Sequence, residues 1–93
     1  MDDEPIELPL DGVLDLHTFK PGEVKDLVTD YLAACQQKGI FQVRIIHGKG
    51  IGALRQTVHN LLAQHPEVVS FTLDHAQLGG WGATLVYLRK PAA

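Results

Sequence analysis

The sequence has one cysteine, no apolar run close to the ~20 residues a membrane-spanning helix needs, and no cysteine–histidine cluster at zinc spacing. Each absence excludes something. Cys35 has no partner for an intramolecular disulfide, and its place on an apolar helical stripe makes it a small buried hydrophobe rather than a nucleophile. The acidic start Met1-Asp2-Asp3-Glu4 lacks the basic and apolar stretches of a signal peptide. With the lone cysteine it points to a reducing cytoplasm and to no membrane partner. The spacing G-x-x-x-x-G-K-[ST] is missing, so nucleotide hydrolysis by a P-loop is not supported. A net charge of −3 excludes a strong, extended basic footprint. There is no internal repeat.

What is present fits one small globular domain. Ninety-three residues with 45% apolar and 20% charged content suffice for one core and leave no room for a second. Charge is unevenly spread. Residues 1–11 carry Asp2, Asp3, Glu4, Glu7 and Asp11 with no positive charge, and with Pro5 and Pro9 they read as an extended acidic arm. Residues 12–93 hold eight Lys and Arg against six acids, a balance of +2. Lys20, Arg44, Lys49 and Arg55 are among them, so a local basic site on a near-neutral body is available. The arm is expected to repel a polyanion at low salt.

Periodicity then orders the elements. Val13 to His17 is a short apolar strand. Pro21 suits the first turn of a helix, and Val24, Leu27, Val28, Tyr31, Leu32 and Cys35 form one helical face. Gly39 is placed to end it in a left-handed cap. Strand two covers about 42–47. A second helix begins near Gly52, with Leu54, Val58, Leu61 and Leu62 inward, and His65-Pro66 stops it. Strand three, about 68–74, alternates Val69, Phe71 and Leu73 against Ser70, Thr72 and Asp74. Strand four runs from Ala83 to Arg89, antiparallel to strand three because their connection is short. The order βαβαββ predicts an α/β two-layer sandwich, a mixed four-stranded sheet with both helices on one face.

Two histidines end the first two strands. A strand–helix–strand unit lays its strands parallel and adjacent, so His17 and His47 are expected to converge at one sheet edge, where α/β sheets place ligands. Asp15 and His17 share a strand face, and a carboxylate beside an imidazole is a common acid–base unit. The competing reading is that Asp15 caps a loop and His17 is merely exposed. Asp15, His17 and His47 are the candidate catalytic residues. As two imidazoles and a carboxylate they also make a thin ligand set for a divalent cation, magnesium or manganese. His59, His65 and His75 look scattered, with solvated or capping roles.

His47 leads into Gly48-Lys49-Gly50-Ile51-Gly52 and then a helix. Glycines let N–H groups converge, and the helix start adds unpaired N–H groups and partial positive charge. Lys49 adds a full charge and Arg55 a bidentate phosphate donor. Gly48, Lys49, Gly50, Gly52 and Arg55 are therefore candidate phosphate-binding residues, against the plainer reading of an ordinary strand-to-helix turn. Gly79-Gly80-Trp81-Gly82 is a glycine-rich loop around one aromatic. Either Trp81 stacks on a base, with Gly80 and Gly82 giving it room, or it plugs the sheet.

Leu14-Asp15-Leu16-His17, His47-Gly48-Lys49-Gly50 and Gly79-Gly80-Trp81-Gly82-Ala83-Thr84, in this order and at these separations, resemble the Smr (small MutS-related) domain, known from the C-terminus of MutS2 proteins and from stand-alone proteins. The resemblance spans about residues 12–90. It implies the same βαβαββ fold, nucleic-acid binding (DNA or RNA) and endonuclease activity. This chain has Thr18 where the family usually has glycine after the first histidine, and an acidic arm where some members have basic extensions. Two functions follow: an endonuclease using Asp15, His17 and His47, or a non-catalytic module docking nucleic acid or a ribosomal surface.

Overall fold

A computed structural model describes residues 10–17, 19–48, 52–74 and 82–91. The elements are β1 (Val13–Asp15), α1 (Pro21–Gln37), β2 (Gln42–Ile46), α2 (Ala53–Gln64), β3 (Val68–Leu73) and β4 (Ala83–Leu88). This is the expected βαβαββ order. The sheet order is β1-β2-β4-β3, with β1 parallel to β2 and the other two pairings antiparallel.

Alternation along the strands sets the two faces. Leu14, Leu16, Val43, Ile45, Val86 and Leu88 point into one core with Val24, Val28, Tyr31, Leu32 and Cys35 of α1 and Val58 and Leu62 of α2. Each fully buried Val or Leu contributes about 1.5–3 kcal/mol. The helical stripes read from the sequence are the faces that do this, with Leu27, Leu54 and Leu61 half-buried at the margin. Cys35 is fully buried there, and burial pushes its thiol up. α1 starts at Pro21, where the Glu23 carboxylate accepts from the Lys20 N–H, and ends before Gly39, whose φ of +85° matches the left-handed stop.

Three details differ from the sequence reading. β1 stops at Asp15, although the Leu16 N–H still donates to the Ile46 carbonyl at 2.9 Å. In β3, an irregularity between Val68 and Ser70 turns Val69 outward, 62% exposed, so it does not share the inner face with Phe71. Asp74, expected outward with the polar residues of β3, is 3% exposed. It accepts an ion-paired hydrogen bond from Arg44 Nε at 2.8 Å across the helix-free face. Arg44 is thus engaged there and is not part of a basic site at the sheet edge.

Before β1, Leu10 packs against the core, and Asp11 Oδ1 accepts from the Val13 N–H at 3.0 Å. The rest of the acidic arm lies outside the described residues. No helix among the described residues is long and apolar enough to cross a membrane.

Candidate functional site

β1 and β2 end side by side, because Asp15 pairs with Ile46 and the Leu16 N–H reaches the Ile46 carbonyl. His17 and His47 therefore stand at one sheet edge, as the strand pattern predicts. Their side chains differ in setting, that of His17 exposed and that of His47 buried. Residue parity puts His47 with Leu14, Leu16 and Ile45 on the helix-covered face, and it is 6% exposed. Asp15, at the end of β1, points the other way, and it holds the ring of His17, which lies beyond the strand in solvent at that edge. The difference has a simple cause: adjacent strands end one residue out of phase, since Leu16, not His17, lies beside His47.

Asp15 and His17 form a tight, solvent-facing pair. Asp15 Oδ1 accepts from His17 Nδ1–H at 2.7 Å and from the His17 backbone N–H at 3.0 Å. The carboxylate thus both caps the chain end and orients the imidazole. The backbone N–H of His17 chiefly holds the Asp15 carboxyl below its ordinary value; burial opposes it, and the His17 side chain adds a smaller lowering. The His17 side chain is 69% exposed, and its Nε2 has no partner among the described residues. A nitrogen fixed in direction and open to solvent is what a general base needs.

His47 is engaged at both nitrogens. Nδ1 lies 3.0 Å from the Gly48 carbonyl oxygen and Nε2 2.8 Å from Thr84 Oγ1. His59 Nε2, from α2, reaches the same Thr84 hydroxyl at 2.8 Å. His59 is thus neither solvated nor a cap. Its ring also packs on Phe71, with centroids 4.9 Å apart. Burial holds both imidazoles below their ordinary value; the Arg55 charge adds to this for each, and His47 also lowers His59. Sequence spacing singled out neither His59 nor Thr84 for this site. Their meeting depends on how α2 lies over β4, and the only signal was Thr84 at the end of the third motif. His65 does cap, accepting from the Glu67 N–H at 3.1 Å.

Beside His47 opens a cleft of ≈ 300 Å³ between the start of α1 and the start of α2, lined by Phe19, Pro21, Gly48, Gly52, Leu54 and Arg55 among others. α2 has no side-chain cap and no acid in its first turn. Its first backbone bond is Gln56 N–H to the Gly52 carbonyl, so the N–H groups before it are left without helical partners. Arg55 folds back over this end: a Cβ at Gly52 would lie 3.2 Å from an Arg55 guanidinium nitrogen. Arg55 has no ion pair among the described residues. A cation at the positive end of a helix is unfavourable alone, and an anion between the two resolves the conflict.

The predicted phosphate-binding glycines divide. Gly52 lines the cleft as expected. Gly48 also lines it, but its N–H donates to the Gly82 carbonyl at 2.8 Å, as does that of His47 at 2.9 Å, so neither is available to an anion. Gly82 is correspondingly an anchor between β2 and β4 rather than space around a stacking aromatic. Lys49, Gly50, Gly80 and Trp81, and Thr18, lie outside the described residues. Both nitrogens of His47 are engaged, and no group of three metal-binding side chains converges among the described residues.

The family model of the Smr domain matches residues 14–89. Over 66 residues the chain is 44% identical to a protein named Endonuclease MutS2 from Thermomicrobium roseum, covering 71% of this chain and 8% of that protein. Over 81 residues it is 38% identical to one named Ribosome rescue factor SmrB from Aliivibrio fischeri, covering 87% of this chain and 46% of the other. The chain thus spans less than half the length of these relatives. The crystal structure of the Smr domain of Thermus thermophilus MutS2 matches with a TM-score of 0.77 at 35% identity, over 83% of this chain and 96% of that one. YdaL, a stand-alone small MutS-related protein from Escherichia coli, matches with a TM-score of 0.79 at 28% identity, over 90% and 69%.

Proposed function

Because the chain belongs to the Smr domain family, we propose that its sheet edge binds the phosphate backbone of a nucleic acid and cleaves it. The observation that carries this is the Asp15–His17 pair, an exposed imidazole oriented by a carboxylate and open at Nε2. Arg55 and the uncapped start of α2 supply positive charge at the same edge. The names of the relatives, an endonuclease and a ribosome rescue factor, agree with a nucleic-acid or ribosomal partner.

The groups present suit RNA. His17 Nε2 takes the proton of the 2′-hydroxyl, whose oxygen bonds to phosphorus as the bond to the 5′-oxygen breaks. The leaving oxygen takes a proton from water. Arg55 and the α2 N–H groups stabilise the charge on the phosphoryl oxygens. RNA brings its own nucleophile, so one base and one guanidinium suffice.

A second reading, docking without cleavage, is favoured by one observation: with His47 engaged at both nitrogens, one imidazole remains where acid–base cleavage often uses two. Incubation with structured RNA and with supercoiled plasmid, with and without EDTA, separates them. RNA cutting that falls about 10²–10⁴-fold in His17→Ala is expected. The Asp15→Ala/His17→Ala double variant should be about as slow as the worse single one, because a base and its orienting carboxylate act as a unit. RNA bound but left intact by the wild type supports docking instead, and full activity in His17→Ala overturns the assigned base.

A further inference from the structure

The Thr84 hydroxyl lies 2.8 Å from the Nε2 atoms of both His47 and His59, and all three side chains pack between α2 and β4. The direction of the bonds follows from one acceptor. The Gly48 carbonyl can only accept, so His47 Nδ1 carries a proton. A neutral His47 is then an acceptor at Nε2, and the Thr84 O–H must donate to it. That leaves the Thr84 oxygen to accept from His59 Nε2–H. The chain runs one way, from His59 through Thr84 and His47 to the Gly48 carbonyl. The depressed ionisation of both rings is consistent with neutral imidazoles. Among the described residues, Arg55 of α2 is the charged group beside them, whereas Phe71 of β3 and Thr84 of β4 are neutral.

We propose that Thr84 and His59 are positioning residues of the phosphate cleft: they hold His47 as its neutral Nδ1–H tautomer, and His47 in turn ties down the Gly48 carbonyl. The consequence is electrostatic. A free carbonyl oxygen lining an anion cleft repels the anion, and the His47 N–H cancels that dipole. Meanwhile the Gly48 N–H is held by Gly82, so Gly48 is fixed at both its N–H and its carbonyl where β2 ends. The cleft then faces its ligand with Arg55 and the α2 start, and without an opposing dipole. This inference rests on the phosphate-cleft reading above and adds to it two residues that touch neither phosphate nor the reacting atoms.

The test uses the full chain and inorganic phosphate. Long-range proton–nitrogen spectra of the imidazoles at neutral pH should show wild-type His47 protonated at Nδ1 and bare at Nε2. In Thr84→Val, which keeps the shape, and in His59→Leu, the two tautomers of His47 should mix. Phosphate affinity should fall roughly five- to tenfold in each, the equivalent of one lost hydrogen bond. His59→Gln, whose amide can donate to Thr84, should restore both readouts, a rescue that packing alone would not produce. His59 is half-buried at the helix surface, so His59→Leu reports even if Thr84→Val folds poorly. A His47 tautomer and phosphate affinity that are unchanged in His59→Leu overturn the inference while leaving the cleft intact. A wild-type chain that binds no phosphate overturns the cleft itself, and the inference with it.

Discussion

One threonine hydroxyl decides what two histidines can do. Thr84 occupies Nε2 of His47 and of His59, whereas Nε2 of the exposed His17 has no partner among the described residues. The pair should also be visible in stability. Free imidazoles ionise near 6.5, and both folded ones lie lower because burial disfavours their charge. Between the folded and unfolded values the unfolded chain binds more protons, so stability rises with pH. This contribution is fully present above about 6.5 and is lost as pH falls below it. Asp15 is also depressed, but its loss comes below its ordinary 3.8 and does not overlap. Urea midpoints at about pH 5 and about pH 7.5 check this. The midpoint should be lower in acid, and the drop smaller in His59→Leu; a flat profile contradicts the buried neutral pair.

At the level of elements, the start of α2 is the most exposed to a single change. Gly52 has φ +86°, a region that costs other residues about 1–2 kcal/mol, and its missing Cβ leaves room for the Arg55 guanidinium at 3.2 Å. Gly52→Ala is expected to lower the melting temperature by about 4–8 °C per kcal/mol lost and to weaken phosphate binding by displacing Arg55. A stable variant that binds phosphate normally would mean Arg55 does not need that pose. The elements themselves were legible in the sequence, because 3.6- and 2-residue periods, Pro21, Gly39 and His65-Pro66 are local signals. The outward turn of Val69 and the buried pairing of Asp74 with Arg44 were not, since both depend on how β3 meets its neighbours across the sheet. The same limit applies to the site. Asp15 and His17 are two residues apart and could be paired by eye, whereas His47, His59 and Thr84 are joined only by packing, and strand phase alone separates His17 from His47.

For the whole molecule, the sheet divides two kinds of surface. One face is covered by α1 and α2 and carries the cleft at its edge; the other leaves Val13 and Tyr87 partly exposed and locks Arg44 onto Asp74. With so few cations facing one edge, nucleic-acid binding should be weak, and its salt slope should be shallow, as those few phosphate contacts dictate. The central claim is that this edge, and not the helix-free face, meets the phosphate backbone. Amide chemical-shift mapping with a short single-stranded RNA at low salt tests it most directly. The account predicts that shifts gather at His17, Phe19 and Gly52 to Arg55 and fade in Arg55→Ala. Shifts gathered instead at Ser70, Thr72 and Tyr87, and unaffected by Arg55→Ala, would contradict it.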